Sequence, residues 1–216
     1  MLHLLYAITG TAVLFVITEN IWRSKKISHE STRKFLHIFL GTFIAFWPFF
    51  LSWASIYLLV LVFIAGIIVA RNSKKLSKKF TIFKTINKLD RQSYGEIYFS
   101  VGIGLTSLLT HNKYIFMAAI LNLSIADGLA ALIGKKYGKK SVYTVFGAKK
   151  SIAGSLTFLV CSLAILLFYY AVSGYNPNIF MIILLPPIAT FIESLSSSGV
   201  DNLVLPLAIL IALKNF

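Results

Sequence analysis

The sequence predicts an all-α fold, a polytopic transmembrane helix bundle of about eight spans with its N-terminus outside. Three observations carry that prediction. Of 216 residues, 57% are apolar and 13% charged, against about 25% charged in an ordinary soluble domain. Apolar runs of about 20 residues, long enough to cross a bilayer, recur along the whole chain. The basic residues gather in a few stretches between those runs instead of spreading over a surface. With a mean hydropathy of +0.81, residues 1–216 read as one integral membrane domain.

Taken in order, the first run, Leu2 to Trp22, has no basic leading segment and no small-residue cleavage site. It therefore reads as a retained span and not as a signal peptide. The stretch from Phe35 to Ala70 is too long for one crossing, and Pro48 divides it into spans 35–47 and 49–70. Further spans follow at 96–110, 114–134, 152–173, 178–194 and 202–213. Several are short, since thirteen residues rise only about 20 Å. Some helices are then expected to begin in the interface, tilt into a thinned region or re-enter. Seven to nine spans fit the pattern, and eight is the expectation.

That count tests itself against charge. Loops 23–34, 71–95 and 135–150 hold 5, 8 and 6 Lys/Arg residues, which is 19 of 21. With eight spans all three loops fall on one side, and only Lys113 and Lys214 fall opposite. The positive-inside rule makes that side cytoplasmic. All seven acids, Glu19, Glu30, Asp90, Glu96, Asp127, Glu193 and Asp201, map to the same side, the last two flanking a Ser-rich connection, 194–201. A simple anchor has no need to gather its acids with its bases, so the active face is expected there. The net charge of +14 follows topology and offers no interleaved basic–aromatic platform, which argues against nucleic acid. The segment 71–91 keeps Leu76, Phe80, Phe83 and Leu89 at helical spacing and reads as an amphipathic helix on anionic lipid headgroups. Cys161, the single cysteine, lies in an apolar run and forms no intrachain disulfide.

The chemistry concentrates in "DGLAALIGKKYGKKSVYTVFGAKKSIAGS", residues 127–155. At about 100° per residue, Asp127, Ala130, Ala131, Gly134 and Gly138 share one narrow helical stripe. Such a stripe is often only a packing face, but a carboxylate in a span is costly and usually functional. Lys149 and Lys150 then precede Ser151, a natural N-cap, and Gly154 and Ser155 open the next span. Lysines beside a helix N-terminus favour phosphate. The spacing of "GKKYGKKS" departs from a P-loop, and no strand precedes it.

Elsewhere, Arg33 and His37 share a helix face in "RKFLHIFLG", with His37 a candidate proton acceptor. Glu96 in "YGEIYFSVGIG" is accounted for by its place at a helix start. In "FIESLSSSGVDNLVLPL", Glu193 and Asp201 end apolar segments that Pro186, Pro187 and Pro206 are expected to break, and broken helices with acids line polar cavities. Asp127, Glu193 and Asp201 together offer carboxylate oxygens for one or two Mg²⁺ ions, a nucleotide's phosphates completing the shell. Acids, lysines and a helix N-terminus are the parts of phosphoryl or nucleotidyl transfer. A transporter would hold its acids near the midplane, whereas these lie toward one face.

The series from Asp127 through Gly134 and Gly138 to Lys149-Lys150-Ser151 and Gly154-Ser155 resembles the nucleotide-binding motif of the dolichol, phytol and polyprenol kinase family. The segments "RKFLHIFLG", "YGEIYFSVG" and "ESLSSSGVDNLVLPL" follow that family's order, covering about residues 31–210. The resemblance implies a membrane enzyme that moves the γ-phosphate of CTP, with Mg²⁺ or Mn²⁺, to an isoprenoid alcohol drawn from the bilayer. It implies a metal held by Asp127 with Glu193 or Asp201, and phosphate contacts from Arg33, Lys34, Lys149, Lys150, Ser151 and Asn202 beside the glycines. Asp201, Glu193 or His37 would accept the alcohol's proton. Ala153 stands where many dolichol kinases carry glutamate, which places the chain nearer the phytol/polyprenol branch. Val200 stands where phytol kinases often carry an acid. The alternative functions for this chain are lipid cytidylyl transfer and CTP-dependent diacylglycerol phosphorylation.

Overall fold

The apolar runs fold as helices whose bounds follow the expected spans. The computed structural model describes residues 2–23, 29–73, 94–145, 148–196 and 199–215. The expected surface helix therefore lies outside the described residues beyond position 73, as do Gly147 and parts of loops 23–34 and 194–201. In chain order the helices are α1 (Leu2–Arg23), α2 (His29–Ala45), α3 (Trp53–Asn72), α4 (Gly95–Leu109), α5 (Lys113–Leu121), α6 (Asp127–Tyr137), α7 (Ile152–Ser173), α8 (Ile179–Leu195) and α9 (Asp201–Asn215). A 3₁₀ turn at Trp47–Phe49 carries Pro48 and separates α2 from α3, as expected for a residue that cannot continue a helix.

Among the described residues, four helical segments are long and apolar enough to cross a membrane: Leu2–Ile21, Trp53–Asn72, Lys113–Lys140 and Ile152–Ser173. Shorter apolar helices, α4 and α8, pack beside them. The protein is an all-α membrane helix bundle. Lys113–Lys140 is its axis, 78% buried where the other three are 17–33% buried. That segment is α5 and α6 joined by a π-helical turn, Asn122–Ala126, and π turns inside helices are frequently found at functional sites.

Helix ends are capped where the sequence supplies short polar side chains. Asn112 accepts from the Tyr114 and Ile115 amides (3.0 and 3.2 Å), and Asn178 from those of Phe180 and Met181. Ser151 caps α7 by accepting from the Gly154 amide at 3.2 Å, as its position predicts. The breaks expected at Pro186, Pro187 and Pro206 do not occur: α8 and α9 run through them. Membrane helices tolerate proline where surrounding groups make up for the lost backbone bond; the Thr190 hydroxyl also back-bonds to the Pro186 carbonyl of its own helix at 2.7 Å.

The connection 138–151 is a turn and an antiparallel hairpin, β1 (Val142–Val145) paired with β2 (Ala148–Ser151). It carries Lys149 and Lys150 to the mouth of α7. Helices α4 and α9 are clasped together: the Asn202 side-chain amide donates to the Gly95 carbonyl at 2.9 Å, and Gly102 lies directly against the Asn202 carbonyl oxygen. A side chain at Gly102 has no room there. Gly102→Val should therefore cost about 1–3 kcal/mol by overpacking. Gly66→Ala, where nothing lies within 4 Å, should be neutral or gain up to about 1 kcal/mol of helix propensity. Thermal unfolding in detergent checks both, and equal midpoints for the two variants would contradict the clasp.

Candidate functional site

Of the seven acids that the sequence gathers on one face, Asp127, Glu193 and Asp201 line one cavity. Asp127 opens α6 from the centre of the bundle and is 3% exposed. Its Oδ2 accepts a hydrogen bond from the Lys34 ammonium, 2.7 Å away across from α2. Glu193, at the last turn of α8, is 5% exposed and pairs with Lys150 of β2. The Lys150 ammonium also donates to the Glu193 carbonyl at 2.9 Å. Burial works against the charge on Lys150, but the Glu193 carboxylate beside it wins, holding the amine above the usual lysine range. Lys150 is thus a fixed cation at any physiological pH. Asp201 begins α9, its Oδ1 accepting from the adjacent Asn202 amide at 3.0 Å. No ion pair to Asp201 is found among the described residues.

These groups line one polar cavity of about 410 Å³, within the range of small-molecule sites. Asp127, Glu193 and Asp201 share its wall with Lys34, Lys149 and Lys150. Ala130, Ala131 and Gly134 form the expected stripe of small residues along it, and Ser151, Gly154 and Ser155 close the α7 side. Lys135 and Lys139 add two further cations.

Gly138 does not line the cavity; it packs against the Ser151 side chain, which any Cβ there would overlap. Gly134 and Gly154 serve packing as well as lining. A Cβ on Gly134 would stand 2.8 Å from the Ser151 hydroxyl, and one on Gly154 would stand 3.0 Å from the Ala130 carbonyl. The backbones of α6 and α7 approach through these glycines, as small residues allow in membranes. Tyr143 was not singled out by the sequence, yet its hydroxyl lies 2.6 Å from the Ser155 hydroxyl and ties the hairpin to α7. The signal was the run Val142-Tyr143-Thr144-Val145, rich in strand formers.

Arg33, His37 and Asn202 line a second space, an apolar cleft beside the cavity. Lys34 lines both. His37 Nε2 is 3.0 Å from the Leu123 carbonyl and 3.6 Å from Asp127 Oδ2, and its ring leans on Phe99 with centroids 4.5 Å apart. A carbonyl only accepts, so Nε2 carries the proton of that contact. Glu96, which the sequence explains by its helix start alone, lies 3.7 Å from Arg33 and from Arg71 at the mouth of this cleft.

The cavity's donor set suits a hard cation: three carboxylates, with neither thiolate nor imidazole on its wall among the described residues. Among the described residues no three His, Cys, Asp or Glu side chains cluster tightly enough to cage a metal unaided. That is the usual situation for Mg²⁺, which takes one or two carboxylates and completes its shell with phosphate oxygens and water.

Against known proteins, the chain is 34% identical over 185 residues to a phytol kinase of Synechocystis sp., covering 82% of this chain and 76% of that one. It is 32% identical over 200 residues to an uncharacterised protein of Rickettsia prowazekii, covering 94% of that protein. A probable chloroplastic phytol kinase of Glycine max is 26% identical over 197 residues, which span 59% of its length. No family model and no solved structure matches. By the extent and identity of the first of these likenesses, the chain belongs to the phytol/polyprenol kinase family.

Proposed function

We propose that this protein is a lipid kinase that moves the terminal phosphoryl group of a nucleoside triphosphate onto an isoprenoid alcohol. The observation that supports this reading best is the meeting of two unlike spaces at one residue. Lys34 stands between a cavity of acids and lysines and a cleft lined by Leu36, Leu40, Phe63 and Phe99. A charged phosphate donor fits the first and a hydrocarbon tail fits the second.

In this reading Asp127 holds the metal, with Asp201 or Glu193 near, and Lys34, Lys149 and Lys150 neutralise the triphosphate. Bound there, Mg²⁺ or Mn²⁺ would supply charge neutralisation of the β- and γ-phosphates. The alcohol oxygen attacks the γ-phosphorus, forming the new P–O bond as the bond to the β-phosphate bridging oxygen breaks. The hydroxyl proton passes to Asp201, the carboxylate without a cation partner among the described residues. His37, whose Nε2 donates to the Leu123 carbonyl, keeps only Nδ1 as an acceptor and is the second candidate for the proton. Positioning and charge supply most of the acceleration in such reactions. The donor is CTP by family resemblance, and the cavity lies at the cytoplasmic face by the charge asymmetry of the loops.

Two outcomes follow. With purified protein, Mg²⁺ and geranylgeraniol, label should reach the lipid from the γ-phosphate of CTP. Transfer from the α-phosphate would make the protein a cytidylyltransferase, and transfer to diacylglycerol alone would overturn the substrate class. Asp201→Asn should lower kcat by about 10²–10⁴-fold, the usual worth of a general base, while nucleotide KM moves little. A fall in affinity with kcat intact would reassign Asp201 to donor binding.

A further inference from the structure

The apolar cleft has a floor. Its lining follows one face of α2 from Arg33, Lys34 and His37 through Leu40 to Ile44, and ends at Trp47 in the 3₁₀ turn at the far end of the bundle. From Lys34 to Ala45 α2 rises about 16 Å, and the turn through Phe46 adds the last step to Trp47. Trp47 is fully buried. Its ring stacks on Phe63 at 6.2 Å and 19°, and takes Phe43 edge-on at 6.2 Å and 85°. Clamped on both sides by aromatic rings, it closes the cleft as a fixed wall. Nearer the mouth, Phe15, Leu36 and Ile67 are half-buried, so part of the lining faces the bilayer and lets a lipid enter sideways.

An extended chain advances about 3.4 Å for every three backbone bonds. A four-isoprene alcohol has sixteen carbons along its length, so its hydroxyl and its last methyl lie about 18 Å apart on that measure. With its hydroxyl beside Lys34 such an alcohol reaches Trp47, and a longer one meets the indole.

We infer that Trp47 sets the chain length of the alcohol, the cleft along α2 holding about four isoprene units between Lys34 and the indole ring. This rests on the kinase reading above and adds the part of the substrate that the polar cavity does not touch. The occupant is a linear isoprenoid alcohol, because the cleft is apolar along its length and opens at Lys34 onto the phosphate cavity. Trp47 acts on specificity only; it touches no reacting atom.

The test measures kcat/KM for purified protein in detergent with alcohols of three, four, six and nine isoprene units. Trp47→Ala should raise the six-to-four ratio about tenfold, the low end of what a pocket discriminates by size. Ile44→Trp, which brings the floor nearer to Lys34, should favour three units over four by a similar factor. Ratios among alcohols are immune to a general loss of folded enzyme, which lowers all of them alike. An active wild type whose ratios stay fixed in both variants would overturn the gauge and leave the kinase standing. A wild type that phosphorylates none of the four alcohols would overturn the function, and the gauge with it.

Discussion

The site depends on one buried ion pair, Lys34 to Asp127. Two charges taken out of water are expensive, and their attraction repays the cost only in good geometry. At 2.7 Å the geometry is good, and His37 stands 3.6 Å from the same oxygen. Removing either partner would strand the other, typically at a cost of about 3–5 kcal/mol. An anchor has no reason to carry that liability in an otherwise apolar bundle. The pair joins α2 to α6, and through Lys34 it joins the polar cavity to the apolar cleft.

The rest of the architecture brings cations to that point. Glycines and alanines on α6 and α7 let the two backbones nearly touch, and the hairpin between them delivers Lys149 and Lys150 to the same wall. The clasp of Asn202 on Gly95 fixes the start of α9, and with it Asp201. Glu193 at the end of α8 then pairs with Lys150. Under the kinase reading, each carboxylate–lysine pair would supply both halves of what a metal–triphosphate needs, oxygen for the cation and ammonium for the phosphates. The preference for an unstrained, satisfied backbone in lipid and the placement of these charges are met by the same helix ends.

Much of this was legible in the sequence because membrane helices announce themselves by length and hydropathy. Pro48 marked its turn and Ser151 its cap for local reasons that tertiary structure did not override. Asp127, Glu193 and Asp201 were singled out because carboxylates are rare beside apolar runs, and they do share a cavity. Local reasoning failed where neighbours decide. Proline rules expected breaks in α8 and α9, but the packed helices run through. Gly138 looked like a phosphate contact because glycines can serve either end, and only the position of Ser151 shows it is packing. The hairpin was readable from its β-branched run but was overshadowed by its lysines. The apolar cleft was beyond reach, since α1, α2, α3 and α4 each contribute to it and none carries a mark of it alone. Trp47 was not singled out for the same reason.

In the proposed reaction Lys34 and Asp127 act as one unit at the junction of the two spaces. A double-mutant cycle on the rate of γ-phosphoryl transfer tests it, using Lys34→Met, Asp127→Asn and the double variant, with thermal unfolding to confirm folded protein. Each single change should lower the rate by about 10²–10³-fold, the usual worth of one preorganised electrostatic group. The double variant should be no more than a few-fold worse than either, because groups that act together are not additive. A double variant as slow as the product of the two single losses would show independent roles and contradict the account.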